Sequence, residues 1–291
     1  MLKSKLVIGA LQLLAALPLG MLRLLGGTTG LLLWSCRSRA RRITEINVAR
    51  CLPHLSAAER RRLVRASLVD LGKTAAEILK VWFGDPARVL GTIRAIEGEQ
   101  LLQQKLAAGG GVVLLAPHHG NWELLGMYLG RRYGITSMYL PGKDPEFDAL
   151  VHRVRSRDGA TLVPADGSGV RSLLKALRQG RLIGVLPDQE PKRTGADFAP
   201  FFETPALTMT LISNLLQRTR ASAIMAYALR VPGGFRLVFR EPEAELYAES
   251  LPVSLAGLNR SVERCALDHP EQYQWEYKRF KKQPPECKEP Y

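Results

Sequence analysis

From about Leu90 onward, short apolar runs alternate with stretches of helical periodicity, and this alternation limits the fold more than any other feature of the chain. Strand-like runs are Val112–Ala116, Ser137–Leu140, Thr161–Val163, Leu182–Leu186, Ala223–Leu229 and Phe235–Phe239. Helices are expected between them near Gly98–Ala107, Trp122–Arg132, Pro145–Arg157, Val170–Arg178 and Pro205–Arg218, with a last one over Ser254–Asp268. Strands joined by helices return in the same direction, because a tight turn cannot hold the crossover. The pattern therefore predicts an α/β fold: a largely parallel central sheet flanked by helices on both faces. The last two runs, joined across "RVPGG", predict a hairpin. No linker interrupts residues 43–291, which read as one domain.

Residues 1–42 differ in kind. From Leu6 to Leu22 the chain is apolar except for Gln12 and Pro18, and after Arg23 a second apolar piece runs to Trp34. At ~1.5 Å per helical residue the first piece falls short of a hydrocarbon core ~30 Å thick. It either spans with help from the second piece or lies in the interface as a bent helix. Arg37, Arg39, Arg41 and Arg42 come directly after, against Lys3 and Lys5 before it, a bias that places the rest of the chain in the cytoplasm. A cleaved signal peptide is the competing reading, disfavoured by the lack of a clean A-x-A site and by the arginines. An ordinary buried helix would show more of a polar face. Next comes "SAAERRRLVRASLVDLGKTAAEILKVWF", where Ser56 and Glu59 have capping-box spacing and apolar residues recur at helical intervals.

The formal charge of +14 calls for a polyanionic partner: nucleic acid, an anionic membrane surface or a phosphorylated substrate. Arginines massed behind an apolar segment fit lipid, and no RNA- or DNA-binding motif accompanies them. Cys36, Cys51, Cys265 and Cys287 are far apart with no CxxC spacing, which argues against a zinc site or a disulfide framework and for reduced thiols.

The chemistry concentrates in "VVLLAPHHGNWELLG", Val112–Gly126. Pro117 ends the most strand-like run in the chain, so His118 emerges at a strand's carboxyl end, where open α/β sheets gather ligands. Asn121 is a favoured N-cap, which starts the next helix there. Residues five apart on one helix point ~140° apart, so His118 and Glu123 meet only if His118 stays in the loop, with Gly120 and Asn121 making the bend. A carboxylate beside His118 fixes its tautomer and stabilises its protonated form, the arrangement of a general base. His119 and Glu123, four apart, form an alternative metal-binding pair, but His54, His152 and His269 offer no comparable further ligand. Two structural histidines are the plain alternative.

"HHGNWE" resembles the H-x4-D/E motif of the glycerolipid acyltransferase superfamily, and "APHHGNWELLG" is similar to its lipid A biosynthesis branch. "VHRVRSRDGATLVPA", "GVLPDQEPKRTGADFAPFF" and "YQWEYKRF" extend the likeness over nearly the whole chain. The resemblance implies an enzyme on the inner membrane of a Gram-negative bacterium, facing the cytoplasm. Such an enzyme moves a fatty acyl chain from acyl carrier protein to a hydroxyl of a lipid A precursor, with His118 as base and Glu123 orienting it. It needs no cofactor beyond the acyl carrier protein thioester. Implied partners are acyl carrier protein, a phosphorylated glycolipid acceptor and anionic membrane lipids, not nucleic acid. The family's arginine maps onto Arg155, with Arg157 as fallback, to bind a phosphate or charge near the thioester. Asp188 and Asn121 complete the expected substrate-binding set; for Asp188 a turn or helix cap is the plain alternative. Two departures, Glu203 where Gly is common after "PFF" and Asp144 where Asn is frequent, leave the acceptor open to a lysophospholipid, aminolipid or other glycolipid.

Overall fold

The protein is described here by a computed structural model covering residues 2–140, 142, 144–285 and 287–291. Its amino-terminal part is a layer of four helices, α1 (Leu2–Ala16), α2 (Leu19–Ser35), α3 (Arg39–Cys51) and α4 (Ala57–Phe83). Pro18, which has no N–H to donate, separates α1 from α2. Lys80 of α4 donates from Nζ to the orphan carbonyls of Ala15 and Leu17, at 2.9 and 2.7 Å. Lys3 and Lys5 lie in the stretch of α1 whose side chains fall outside the described residues. The capping box forms: Ser56 Oγ accepts from Glu59 N, and Glu59 Oε2 accepts from Ser56 N at 2.7 Å.

At Gly26, Gly30 and Gly72 the backbones of α2 and α4 meet with no room for a side chain. A Cβ on Gly72 would sit 2.0 Å from the Gly26 carbonyl oxygen, and one on Gly30 would sit 2.2 Å from that of Leu68. Ion pairs lock the arrangement to the rest of the fold. Arg23 Nε donates to Glu77 at 2.6 Å while its two Nη atoms donate to the carbonyls of Val231 and Gly234. Buried Glu77 also accepts from Arg230. The opposite face of these helices, with Leu13, Met21, Leu24, Leu25 and Leu32, is exposed. No single helix among the described residues is long and apolar enough to cross a membrane; α2 and α3 together have the composition but meet at an 80° bend.

After a short α5 (Pro86–Leu90) the expected sheet forms. Its strands are β1 (Ile93–Glu97), β2 (Val112–Leu115), β3 (Thr136–Tyr139), β4 (Thr161–Pro164) and β5 (Leu182–Val185), joined later in the chain by β8 (Ser222–Val231) and β9 (Gly234–Arg240). The order is β1-β9-β8-β2-β5-β3-β4. All neighbours are parallel except the β8–β9 hairpin, as "RVPGG" predicts. Helices α6 (Glu99–Ala107), α7 (Trp122–Tyr133), α8 (Pro145–Ser156) and α9 (Gly167–Arg178) connect successive strands. Alternation along β2 builds both cores: Val113 and Leu115 join Leu173, Ile183 and Tyr227 on one face, while Val112 and Leu114 join Leu125, Leu129 and Ile224 on the other. β1 escapes the periodicity argument because it is a largely exposed edge strand without an apolar run.

One expected helix is corrected. Residues 205–210 are not helical: β6 (Ala196–Phe201) and β7 (Thr204–Met209) form a separate antiparallel hairpin, and only α10 (Leu211–Arg218) of that segment is helix. The two-residue turn is Phe202–Glu203, with φ of 47° and 61°. Both φ signs match the type I′ turn that suits the twist of paired strands and that glycine makes at least cost. Glu203 therefore answers to a backbone turn. Asp144 likewise caps α8, accepting from the N–H groups of Glu146 and Phe147 as an asparagine would. A final helix, α11 (Leu251–Asp268), precedes the closing segment.

Substitution at either tight spot should register in denaturant titration. Gly72→Ala must force α2 off α4 and should lower the free energy of unfolding by about 1–3 kcal/mol. Glu203→Gly should raise it by up to about 1 kcal/mol, by relieving a left-handed backbone at a non-glycine residue.

Candidate active site

β2 and β5 are adjacent and parallel, with Leu115 opposite Val185. Beyond that point both continue by one residue, a proline, and then a polar side chain: Ala116-Pro117-His118 and Leu186-Pro187-Asp188. Equal offsets from one register bring the two polar residues side by side. Asp188 Oδ1 lies 2.8 Å from His118 Nδ1, and its Oδ2 accepts from the His118 main-chain N–H at 2.8 Å. Burial acts to raise the Asp188 pKa, but the charge and hydrogen bonds of His118 outweigh it and hold the carboxyl below its usual range. Ionised Asp188 only accepts, so Nδ1 carries a proton, and in the neutral ring Nε2 keeps its lone pair. Nε2 has no protein hydrogen bond among the described residues, and the side chain is 12% exposed. Trp122 borders it edge-on, with ring centroids 5.0 Å apart.

The bend after His118 is tight. Gly120 has φ 62°, and a Cβ there would lie 2.0 Å from the Ala228 carbonyl oxygen. Asn121 N donates to that carbonyl at 2.8 Å, and its Oδ1 caps α7 by accepting from Leu124 N at 3.0 Å. Asn121 thus serves the helix start that its spacing predicts. Its Nδ2 is buried without a partner among the described residues.

The carboxylate that holds His118 is Asp188 and not Glu123, contrary to expectation. Glu123, buried in the first turn of α7, is engaged elsewhere: it accepts from Trp82 Nε1 at 3.0 Å and from Arg155 Nε at 3.1 and 3.2 Å, with a further short contact to Arg155 Nη2. Burial pulls on the Arg155 guanidinium, but the Glu123 carboxylate prevails and raises its pKa. The remaining Nη1 of Arg155 has no protein partner among the described residues, and the side chain is 36% exposed. The site therefore holds two pairs: His118 with Asp188 on the loops after β2 and β5, and Glu123 with Arg155 on α7 and α8. Arg157 does other work: Nη1 and Nη2 donate to the carbonyls of Trp82 and Val81 at the end of α4, capping that helix.

His119 turns the other way. It is fully buried between Tyr227 and Tyr273, and neither ring nitrogen has a partner among the described residues. Burial pulls its pKa down to about 3, which keeps it neutral. No group of metal-ligating residues gathers around it among the described residues. Composition did not reveal Glu276, in the closing segment, whose carboxyl burial pushes up to about 7 although Gln274 and His118 draw it down.

A buried histidine with a depressed pKa makes stability depend on pH. The unfolded chain gains a proton as pH falls through 6.5, and the folded chain does not until about pH 3. Folding stability attributable to His119 is therefore intact above 6.5 and declines between those limits. Replacing His119→Phe should lessen the loss between pH 7 and pH 5 by about 2 kcal/mol in urea unfolding.

Comparison with known proteins places the chain in a family. Residues 2–282 match the family described as bacterial lipid A biosynthesis acyltransferase. The chain is 28% identical over 280 residues to a lipid A biosynthesis palmitoleoyltransferase of Escherichia coli K12, an alignment spanning 95% of this chain and 90% of that one. It is 27% identical over the same length to the lauroyltransferase of that organism, with 95% and 90% covered, and 26% identical over 255 residues to its myristoyltransferase, with 87% and 78% covered. The chain thus belongs to the bacterial lipid A biosynthesis acyltransferase family.

Proposed function

We propose that this protein, working at a membrane surface, transfers a fatty acyl group from an acyl carrier protein thioester to a hydroxyl of a lipid A precursor. The observation that carries the reading is the His118 ring, whose Nδ1 is bound to ionised Asp188 and whose Nε2 has no protein partner among the described residues. Nε2 takes the acceptor's hydroxyl proton as that oxygen attacks the thioester carbonyl carbon. The tetrahedral intermediate then collapses, the C–S bond breaks, and the departing thiolate recovers the proton from the imidazolium. Asp188 stabilises that imidazolium and fixes its orientation. Both substrates bind together, so no acyl-enzyme is needed and proximity supplies much of the rate.

Glu123 holds Arg155 in place. The open Nη1 of Arg155 offers a donor to a phosphate of the acceptor or to the developing oxyanion. The exposed leucines of α1 and α2, with the exposed Arg37, Arg39 and Arg42 close behind, support a seat on anionic lipid. The relatives named above are palmitoleoyl-, lauroyl- and myristoyltransferases of lipid A biosynthesis.

In an assay with acyl carrier protein thioester and a lipid A precursor, His118→Ala and Asp188→Asn should each lower kcat by about 10²- to 10⁴-fold. Protein partition into anionic vesicles should be unchanged. Full turnover by His118→Ala would remove the proposed base.

A further inference from the structure

We infer that the closing segment, Gln272 to Lys282, is a clasp that sets the spacing of His118 and Asp188, and that Gln274 is its positioning residue. The kinetic part of this inference rests on the reaction proposed above. His118 and Asp188 lie on loops that the chain separates by 70 residues. Each loop leaves the sheet through a proline, whose main chain cannot donate to the neighbouring strand. A 2.8 Å hydrogen bond between such loops needs something to hold both at once.

The closing segment does this. Along the first loop it runs as a short antiparallel strand: Gly120 N donates to Gln272 O at 3.0 Å, Gln274 N donates to His118 O at 3.1 Å, and Tyr273 pairs with His119 between them. Along the second loop, Gln189 Nε2 donates to Gln274 Oε1 at 3.0 Å, Glu190 N donates to the Tyr277 hydroxyl at 2.9 Å, and Glu190 Oε1 accepts from Lys282 N at 2.6 Å. Apart from the histidine and aspartate themselves, Gln274 is the one described residue that hydrogen-bonds both loops. Its main chain holds the residue that carries the imidazole, and its side chain holds the neighbour of the carboxylate.

The clasp is itself fixed. The Gln272 side chain accepts from Arg230 N at 2.8 Å and donates to Arg230 O at 3.1 Å, which ties the segment to β8. Asn47 of α3 donates to the carbonyls of Trp275 and Tyr277, each at 2.7 Å. The closing segment is therefore tied both to the sheet and to the helical layer. A mispositioning on the order of 1 Å costs about 100-fold in rate when the misplaced group does the chemistry.

The test uses the full-length protein with Gln274→Ala, Gln189→Ala and both together. Proton NMR of the unliganded protein should show a far-downfield resonance from the His118 Nδ1 proton, assigned by its absence in Asp188→Asn. Both single variants should shift or broaden that resonance. In the acyl-transfer assay kcat should fall by about 10- to 100-fold with KM for the thioester unchanged. The double variant should be no worse than the more damaged single one, because both remove one hydrogen bond. An unmoved resonance with wild-type kcat in Gln274→Ala would overturn the clasp, and so would losses that multiply in the double variant. A resonance that moves in a protein without turnover on any lipid A precursor supports the clasp and counts against the proposed acceptor.

Discussion

The in-register pairing of β2 with β5 underlies everything at the site. Parallel strands in adjacent positions end at the same level, so residues equally far past their ends are neighbours regardless of their distance in sequence. Here each strand is followed by one apolar residue, a proline and then the functional side chain, and the result is a histidine and an aspartate in hydrogen-bond contact. The sheet brings the two loops level, and it is buried on both faces at these two strands.

A second constraint comes from the helical layer. Glycine contacts bring α2 against α4, and the Arg23–Glu77–Arg230 network joins that pair to the β8–β9 hairpin. Buried charges of this kind are costly to separate, since removing one partner strands the others away from water. Their consequence is geometric: the apolar face of α2 has a fixed orientation relative to the loop that carries His118. The end of α4 also supplies Trp82 to Glu123 and receives Arg157, so the same helix organises the Glu123–Arg155 ion pair.

The site thus separates two duties. Asp188 governs the titratable ring, while Glu123 governs a guanidinium whose free edge faces solvent. The spacing of His118 and Glu123 is still meaningful. It puts the glutamate on the first turn of the helix that begins just past the histidine, where it holds Arg155 and not the imidazole.

Local rules determined much of this protein from its sequence. Apolar runs marked every strand of the large sheet except β1, and Asn121 and the Ser56–Glu59 box marked helix starts, because each depends on residues a few positions apart. Pro117 likewise located His118 at a strand end. The segment after Pro205 misled, because helical periodicity said nothing of the turn at Phe202–Glu203 that pairs Thr204–Met209 with the preceding strand. Only the tertiary structure decided which carboxylate meets His118. The parallel between "LAPH" and "VLPD" is visible in the chain, but it has meaning only when β2 and β5 are known to be neighbours, and strand order is a property of the packed sheet. The partner of Glu123, the bracing role of Gln274 and the inward turn of His119 have the same origin: they depend on contacts between distant segments that no local pattern encodes.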